Sequence, residues 1–345
     1  MKERAVWVVA ALLASLGVLA VACGDDDGGG GGSGSRTAAV TASPAAVPLE
    51  AFDCANEYPG TEPDASNFPL RLADDGGRQV DFPAPPSKIV SLSAAAVEVL
   101  YAIGAGDQLI AGDLYSDCPV ATAELEHLDS FTPSVEAITA LEPDLVILGF
   151  PATDLQDALA GLGVASFLVE PPPDVSGVLD QMDLLGQVTG HPKEAGDYVA
   201  GMNARIEEIF NEHVTAVFGG DEPVRESDRP KVFHEVDNTL FTAGPGSFVG
   251  DMYNLLAARN IAEETGEAFP QMSAEAVIAA APEVIILADE EAGESAETVS
   301  ARPGWDAIPA VQNGRIHAVD PDIVSRPGPR LIMALEVLAG LLYPE

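Results

Sequence analysis

The sequence predicts an α/β protein of two similar lobes, each with a parallel sheet, joined by a long helical connection. Three observations predict it. Short apolar strands alternate with helices in two blocks. Between the blocks, Val175–Val214 carries apolar residues at helical spacing and no strand. Finally, VEAITALEPDLVILGF at Val135–Phe150 returns as AEAVIAAAPEVIILAD at Ala274–Asp289, identical at six of sixteen positions. Alternating helix and short apolar strand is the pattern of a parallel sheet covered on both faces. Self-similarity at a fixed offset marks a duplicated unit.

Taken in chain order, Lys2 and Arg4 precede an uncharged run from Ala5 to Ala22, which ends in small residues before Cys23. This is the layout of a secretory signal, and LAVAC resembles the lipobox of bacterial lipoproteins, with Ala20 where leucine is usual. Residues 1–23 are therefore expected to be a signal peptide ending at an acylated Cys23. An uncleaved membrane anchor is the other reading of the same run. Residues 24–67 open on GDDDGGGGGSGSR, a composition that cannot repay ordering entropy, and are expected to form a tether and a pre-domain segment. Both readings place the rest of the chain outside the cytoplasm, anchored at the membrane.

The first lobe is expected over 68–174. FPLRLADDGGRQVDF reads as a β-hairpin, KIVSL as a buried strand and SAAAVEVLYAIGAG as a helix closed by glycines. DQLIAGDLYSDCP gives a strand and a polar loop, and the repeated phrase gives a helix stopped by Pro143 and then LVILGF. The helical linker is expected over 175–217 and the second lobe over 218–345, restarting at KVFHEV.

Composition removes several functions. Fifty-five acidic against 16 basic residues give a formal charge of −39, the reverse of a nucleic-acid binder. Such acidity suits solubility or a salty habitat. The five histidines, at 127, 191, 213, 234 and 317, show no metal-ligand spacing, and no nucleophile elbow or Walker loop is present. No catalytic residue, metal or resident cofactor is therefore expected. With Cys23 set aside, Cys54 and Cys118 are either a disulfide, as an oxidising compartment favours, or two separate thiols.

In open parallel sheets, ligands sit beyond the carboxyl ends of the strands. The predicted strand ends carry Tyr115, Phe131, Phe150, Phe241, Phe248 and Phe269, although aromatics make up only 6% of the chain. They suit a large, flat, partly apolar ligand. Ser91, Ser93, Ser116, Asp117, Asp237, Ser247 and Asp322 are candidate polar contacts, and Ser93 is equally a helix N-cap. Glu136 and Glu275 hold the same place in the two copies of the phrase; the helix dipole explains both, and a two-pronged surface for a basic partner would use both.

KIVSLSAAAVEVLYAIGAGDQLIAGDLYSDCP, FTPSVEAITALEPDLVIL, TAGPGSFVGDMYNLLAARNIA, RPGWDAIPAVQNGRIHAVD and SRPGPRLI together resemble the substrate-binding proteins of ABC importers for cobalamin and ferric siderophores. The resemblance implies two Rossmann-like lobes bridged by one long rigid helix, a ligand cleft between them, and a monomer without enzyme activity. It implies delivery to a permease dimer with its ATPase subunits, with Glu136 and Glu275 docking on permease arginines. YSDCP is similar to a loop of the cobalamin-binding members, from which Cys118 departs; this points to a bridge with Cys54. Where those relatives clasp the corrin with tryptophans, the matching positions are Phe131 and Phe269, with Phe150 near; Asp322 matches a ligand-contacting aspartate. Cobalamin is thus the expected ligand. A ferric siderophore or haem is the alternative, haem calling on His234 or Met272, and an enzyme on duplicated lobes is the remote one. Arg326 and Arg330, in a proline-rich setting, read as structural.

Overall fold

A computed structural model describes residues 52–220, 223–289 and 293–344. The signal run, Cys23 and the glycine-rich tether lie outside the described residues.

The packed chain starts earlier than the hairpin. Phe52 is buried and stacks on Tyr58 with ring centroids 4.3 Å apart, and Cys54 is bonded to Cys118. Thr61 N–H donates to Gly104 O at 2.8 Å, and Asp64 N–H to Gly190 O at 2.7 Å. Residues 52–67, expected as part of the pre-domain segment, are therefore bound to the first lobe. One buried ring and a crosslink supply what composition alone would not reveal.

Strands β1 (Leu70–Ala73) and β2 (Gln79–Phe82) form the expected antiparallel hairpin. Its turn is closed by Asp74, whose buried carboxylate accepts Arg78 N–H at 2.7 Å and Gln156 Nε2 at 3.1 Å.

The first lobe holds a five-stranded parallel sheet in the order β5-β4-β3-β6-β7. Its strands are β3 (Ile89–Leu92), β4 (Leu109–Asp113), β5 (Glu126–Leu128), β6 (Leu145–Leu148) and β7 (Ala165–Leu168). Helices α1 (Ala94–Ala102), α2 (Val135–Ala140) and α3 (Thr153–Gly161) connect them. The second lobe has four parallel strands, β8 (Lys231–Glu235), β9 (Arg259–Asn260), β10 (Val284–Leu287) and β11 (Ile316–Ala318), in the order β11-β10-β8-β9.

The connection is helical, but it is two helices rather than one. The first, α4 (Val175–Thr189), stops at Gly190, whose φ of 83° is left-handed, and Pro192 then opens α5 (Pro192–Ile209). A left-handed glycine followed by proline is a stop and a restart. A π-helical turn, Phe210–Thr215, carries α5 on to Phe218. The second lobe adds α6 (Phe248–Leu255), α7 (Ala274–Ala280), α8 (Ala296–Ser300), α9 (Pro309–Gln312), α10 (Pro321–Ser325) and α11 (Leu331–Leu342). Helix α4 touches α1 of one lobe and α6 of the other, and α5 packs on α11.

Alternation along the strands divides the interior into three. Ile89, Leu145 and Ile147 of one lobe and Val232, Val284 and Ile286 of the other join a single core with Leu185, Met202 and Leu335 from the helices between the sheets. Val90, Val146 and Leu148 pack outward under α2 and α3 with Ile138 and Leu155. Phe233, Ile285 and Leu287 pack outward with Val277 and Trp305. Spreading the lobes would expose the shared core, so wide hinge opening is disfavoured.

The repeated phrase folds as a repeat. Ser134 and Ser273 cap α2 and α7, each accepting an N–H at 3.2 Å, from Ala137 and Ala276. Glu142 and Ala281, each before a proline, share a left-handed φ of 52° and 51°. The acid after each proline then holds the start of the first strand of its parallel sheet, β3 or β8. Asp144 Oδ2 accepts Lys88 N–H, and Glu283 Oε2 accepts Lys231 N–H, both at 3.0 Å.

Candidate functional site

In the first sheet the chain moves to one side after β3 and to the other at β6, so the crevice beyond these two strands is the topological switch point. A cavity of about 300 Å³ opens there. Its walls come from the loops after β3, β4, β5, β6 and β7, and from the segment 321–327 of the second lobe.

One wall is aromatic. Tyr115 meets Phe131 edge-on at 5.9 Å, and Phe131 stacks on Phe150 at 6.2 Å. All three are more than half exposed, Phe131 reaching 68%. Rings this exposed are not held by burial, so hydrogen-bonded loops must place them. Asp113, at the end of β4, accepts Tyr115 N–H at 3.2 Å and the hydroxyls of Ser116 at 2.6 Å and Ser130 at 3.2 Å. Asp129 accepts the N–H groups of Phe131 at 2.9 Å and Thr132 at 3.0 Å, and hydrogen bonds from the Thr132 hydroxyl and these amides lower its pKa. Each loop is thus folded around one carboxylate. Ser93 caps α1, receiving Ala96 N–H at 3.3 Å, and also lines the cavity. Ser91 is buried and donates to Ser93 O at 3.0 Å.

The floor is ionic. Glu98, wholly buried on α1, receives Arg330 Nη2 at 2.7 Å and Nε at 3.1 Å, and Arg326 Nη1 at 2.8 Å. Arg326, which lines the cavity, also meets Asp117 Oδ1 at 3.0 Å and Asp322 Oδ1 at 2.9 Å. Burial alone would lower the Arg326 pKa; Glu98, Asp117 and Asp322 overcome that and raise it. Glu98 belongs to one lobe and both arginines to the other, so the triad joins the lobes beneath the cavity. This agrees with the structural reading of Arg326 and Arg330. Glu98 itself has a sequence signal: one carboxylate in the apolar helix AAAVEVLYA needs a buried partner.

Several expected ligand contacts in the second lobe belong elsewhere. Phe248 is buried in the shared core at the start of α6, because it opens an amphipathic helix. Ser247 is buried too: it caps α6, receiving Gly250 N–H at 3.1 Å and donating to Gly244 O at 2.7 Å. Asp237 closes a turn, accepting the N–H and hydroxyl of Thr239, and these hydrogen bonds lower its pKa. Phe241 and Phe269 are exposed on a paired loop, where Phe241 bridges Gln271, but neither lines the cavity. The ring neighbours of Phe131 are Tyr115 and Phe150, both from its own lobe. The two haem candidates are also displaced. His234 is enclosed, 2.7 Å from the Tyr253 hydroxyl, and burial lowers its pKa to about 4; Met272 packs on the outer core.

Glu136 and Glu275 are exposed in the first turns of α2 and α7. A second groove of about 540 Å³, lined by Pro133, Val135 and Pro151–Leu155, lies beside the first turn of α2. Among the described residues no cluster of three His, Cys, Asp or Glu could hold a metal ion, and no helix is long and apolar enough to cross a membrane.

Two α/β lobes on a shared helical core, with a ring-lined cavity at a strand-end switch point, define a ligand-capturing protein. A family model described as periplasmic binding protein matches residues 89–323, and the chain belongs to that family. It is 30% identical over 285 residues to an uncharacterized ABC transporter substrate-binding lipoprotein, YvrC, of Bacillus subtilis (strain 168), covering 81% of this chain and 87% of that one. The structure of the periplasmic vitamin B12 binding protein BtuF of Vibrio cholerae matches with a TM-score of 0.61 and 26% identity, over 75% of this chain and 97% of that one. The periplasmic heme-binding protein RhuT from Roseiflexus sp. RS-1, 24% identical with a TM-score of 0.64 over 74% of this chain and 98% of that one, shares the fold. The protein is a substrate-binding component of an ABC importer, which places it outside the cytoplasm and among binding proteins rather than enzymes.

Proposed function

We propose that the protein captures a corrinoid of the cobalamin type and delivers it to the permease dimer and ATPase subunits of its importer. The observation that carries the reading is the charge state of the cavity. Among the described lining residues Arg326 is the one basic side chain, and three carboxylates already occupy it. An anionic iron chelate or the propionates of haem would find no unpaired cation there, whereas an amide-rimmed corrin needs none. The Tyr115–Phe131–Phe150 wall supplies the flat apolar contact. A cavity of about 300 Å³ is at the small end for ligand sites, so a macrocycle would set one edge in it and lie against the aromatic wall.

Haem is the second reading, favoured by Tyr115, whose phenol stands exposed at the cavity and is of a type that ligates haem iron. Thermal melts of the purified domain with cyanocobalamin, haemin and a ferric hydroxamate separate the ligands. A ligand at a hundredfold excess over its Kd stabilises by about 2.7 kcal/mol. A rise in Tm with cyanocobalamin is expected. A rise only with haemin or the chelate would replace the corrinoid.

The chain is further read as a lipoprotein held through Cys23, with Glu136 and Glu275 as the docking prongs. Their matched caps on α2 and α7 support equivalent roles toward a two-fold partner. The double substitution Glu136→Arg and Glu275→Arg is expected to abolish uptake and leave ligand affinity within about twofold. Undiminished transport would remove these residues from the docking surface.

A further inference from the structure

We infer that Asp117 and Asp322 set ligand specificity by masking a latent anion site, so that the cavity rejects ligands carrying carboxylates. The inference deepens the corrinoid reading and rests on the cavity being the ligand site.

Arg326 and Arg330 are needed where they are. Both reach from the second lobe to Glu98 in the first, and Gly328 between them brings the backbone so near that an added Cβ would stand 3.8 Å from Glu98 Oε2. Glu98 neutralises only one of the two guanidiniums. The surplus positive charge falls on Arg326, because Arg330 is buried against Glu98 while Arg326 opens on the cavity. Left so, the floor would attract any anionic ligand.

Asp117 and Asp322 cancel that surplus. One comes from the loop after β4 and the other from α10, and they meet Arg326 at 3.0 and 2.9 Å. Their side chains are 63% and 46% exposed, against none for Glu98. Exposed ion pairs add little stability, so the two aspartates contribute little to holding the lobes together. Their effect is on what Arg326 offers the ligand. With them, two arginines face three carboxylates; with Asp117→Asn and Asp322→Asn, two arginines face one. Asp113, which also lines the cavity, is engaged by the hydroxyls of Ser116 and Ser130 and is not among the carboxylates paired with Arg326.

A pair of ligands differing in one charge tests this. Cyanocobalamin and its monocarboxylic acid, in which one ring amide is hydrolysed, are titrated calorimetrically into the native protein and the D117N/D322N variant, at low and high salt. The native protein is expected to prefer the amide. In the variant the ratio of the two affinities should move toward the acid by about tenfold at low salt and less at high salt. The variant D117E/D322E, which keeps both charges, should retain the native preference. A ratio that does not move in D117N/D322N overturns the inference, whatever happens to stability, because a structural role weakens both ligands alike. If the native protein binds neither corrinoid, the ligand assignment has failed separately. Haemin and its dimethyl ester then pose the same question, and the same shift is expected. Failure of both pairs to bind overturns the inference.

Discussion

The two lobes furnish equivalent strand ends in different ways. In each sheet the strand order reverses between the first strand and the strand of the repeated phrase, β3 and β6 in one lobe, β8 and β10 in the other. Beyond β3 and β6 the crevice is open and ring-lined. At the ends of β8 and β10 a cluster of buried charges stands instead. Glu235, the last residue of β8, is wholly buried and takes Arg302 in a two-point pair at 2.6 and 2.5 Å. Arg302 also holds Glu294 at 2.8 Å and lies 4.7 Å from the Trp305 ring centroid. Asp289, just past β10, is buried beside them, with the carboxylates of Glu235 and Glu294 as its charged neighbours. The two lobes therefore present equivalent strand ends with different side chains, aromatic rings in one and a buried charge cluster in the other. The second lobe reaches the cavity by 321–327, not by its own switch point.

The largest expected effect comes from breaking the charge cluster. Arg302→Ala would leave Glu235 buried without its cation, and removing one partner of a buried pair costs about 3–5 kcal/mol. Urea unfolding should show that loss, with ligand affinity per folded molecule unchanged. A loss below about 1 kcal/mol would mean the pair does not behave as a buried one.

Acid and base should act on the second lobe in opposing directions. Burial lowers His234 to about 4, so its contribution to stability is complete above pH 6.5 and is lost as pH falls toward 4. At 1.36 kcal/mol per pH unit that is about 3 kcal/mol. Burial first, then Glu235 and Glu294, raise Asp289 to about 7. Its contribution is complete below the ordinary aspartate value and is lost as pH climbs through 7. The two nearly cancel over this window. Asp289→Asn should therefore raise Tm more at pH 8 than at pH 5 and uncover the His234 slope. Equal gains at both pH values would contradict the Asp289 assignment.

The smallest change sharpens the comparison at the ligand. Phe131→Ala, at an exposed ring stacked on Phe150, should leave Tm nearly unchanged and weaken ligand binding by about tenfold. Phe269→Ala, outside the cavity, should weaken it by less than about threefold. The reverse order would restore the two-sided clasp.

Much of this was legible in the residues. The proline-broken phrase located both lobes, because a helix that must end before a buried strand leaves a short and specific pattern. The exposed rings at 115, 131 and 150 were legible as a group because each stands in a polar loop just past a strand. Ser247 and Phe248 were misassigned for a related reason: a serine–phenylalanine pair opening an amphipathic helix has the same composition as a pair lining a cleft. Glu98 and Arg330 lie 232 residues apart, and no local pattern announces their pairing.

The sequence by itself determined the architecture, since period, glycine and proline act within a few residues of where they stand. Tertiary structure decided which charges meet at the equivalent strand ends of the two lobes. That choice depends on desolvated charges finding partners from distant segments, Glu235 with Arg302 in one lobe and Glu98 with Arg326 across both. The strength of such pairs is set by burial and distance, and neither quantity exists before the chain has folded.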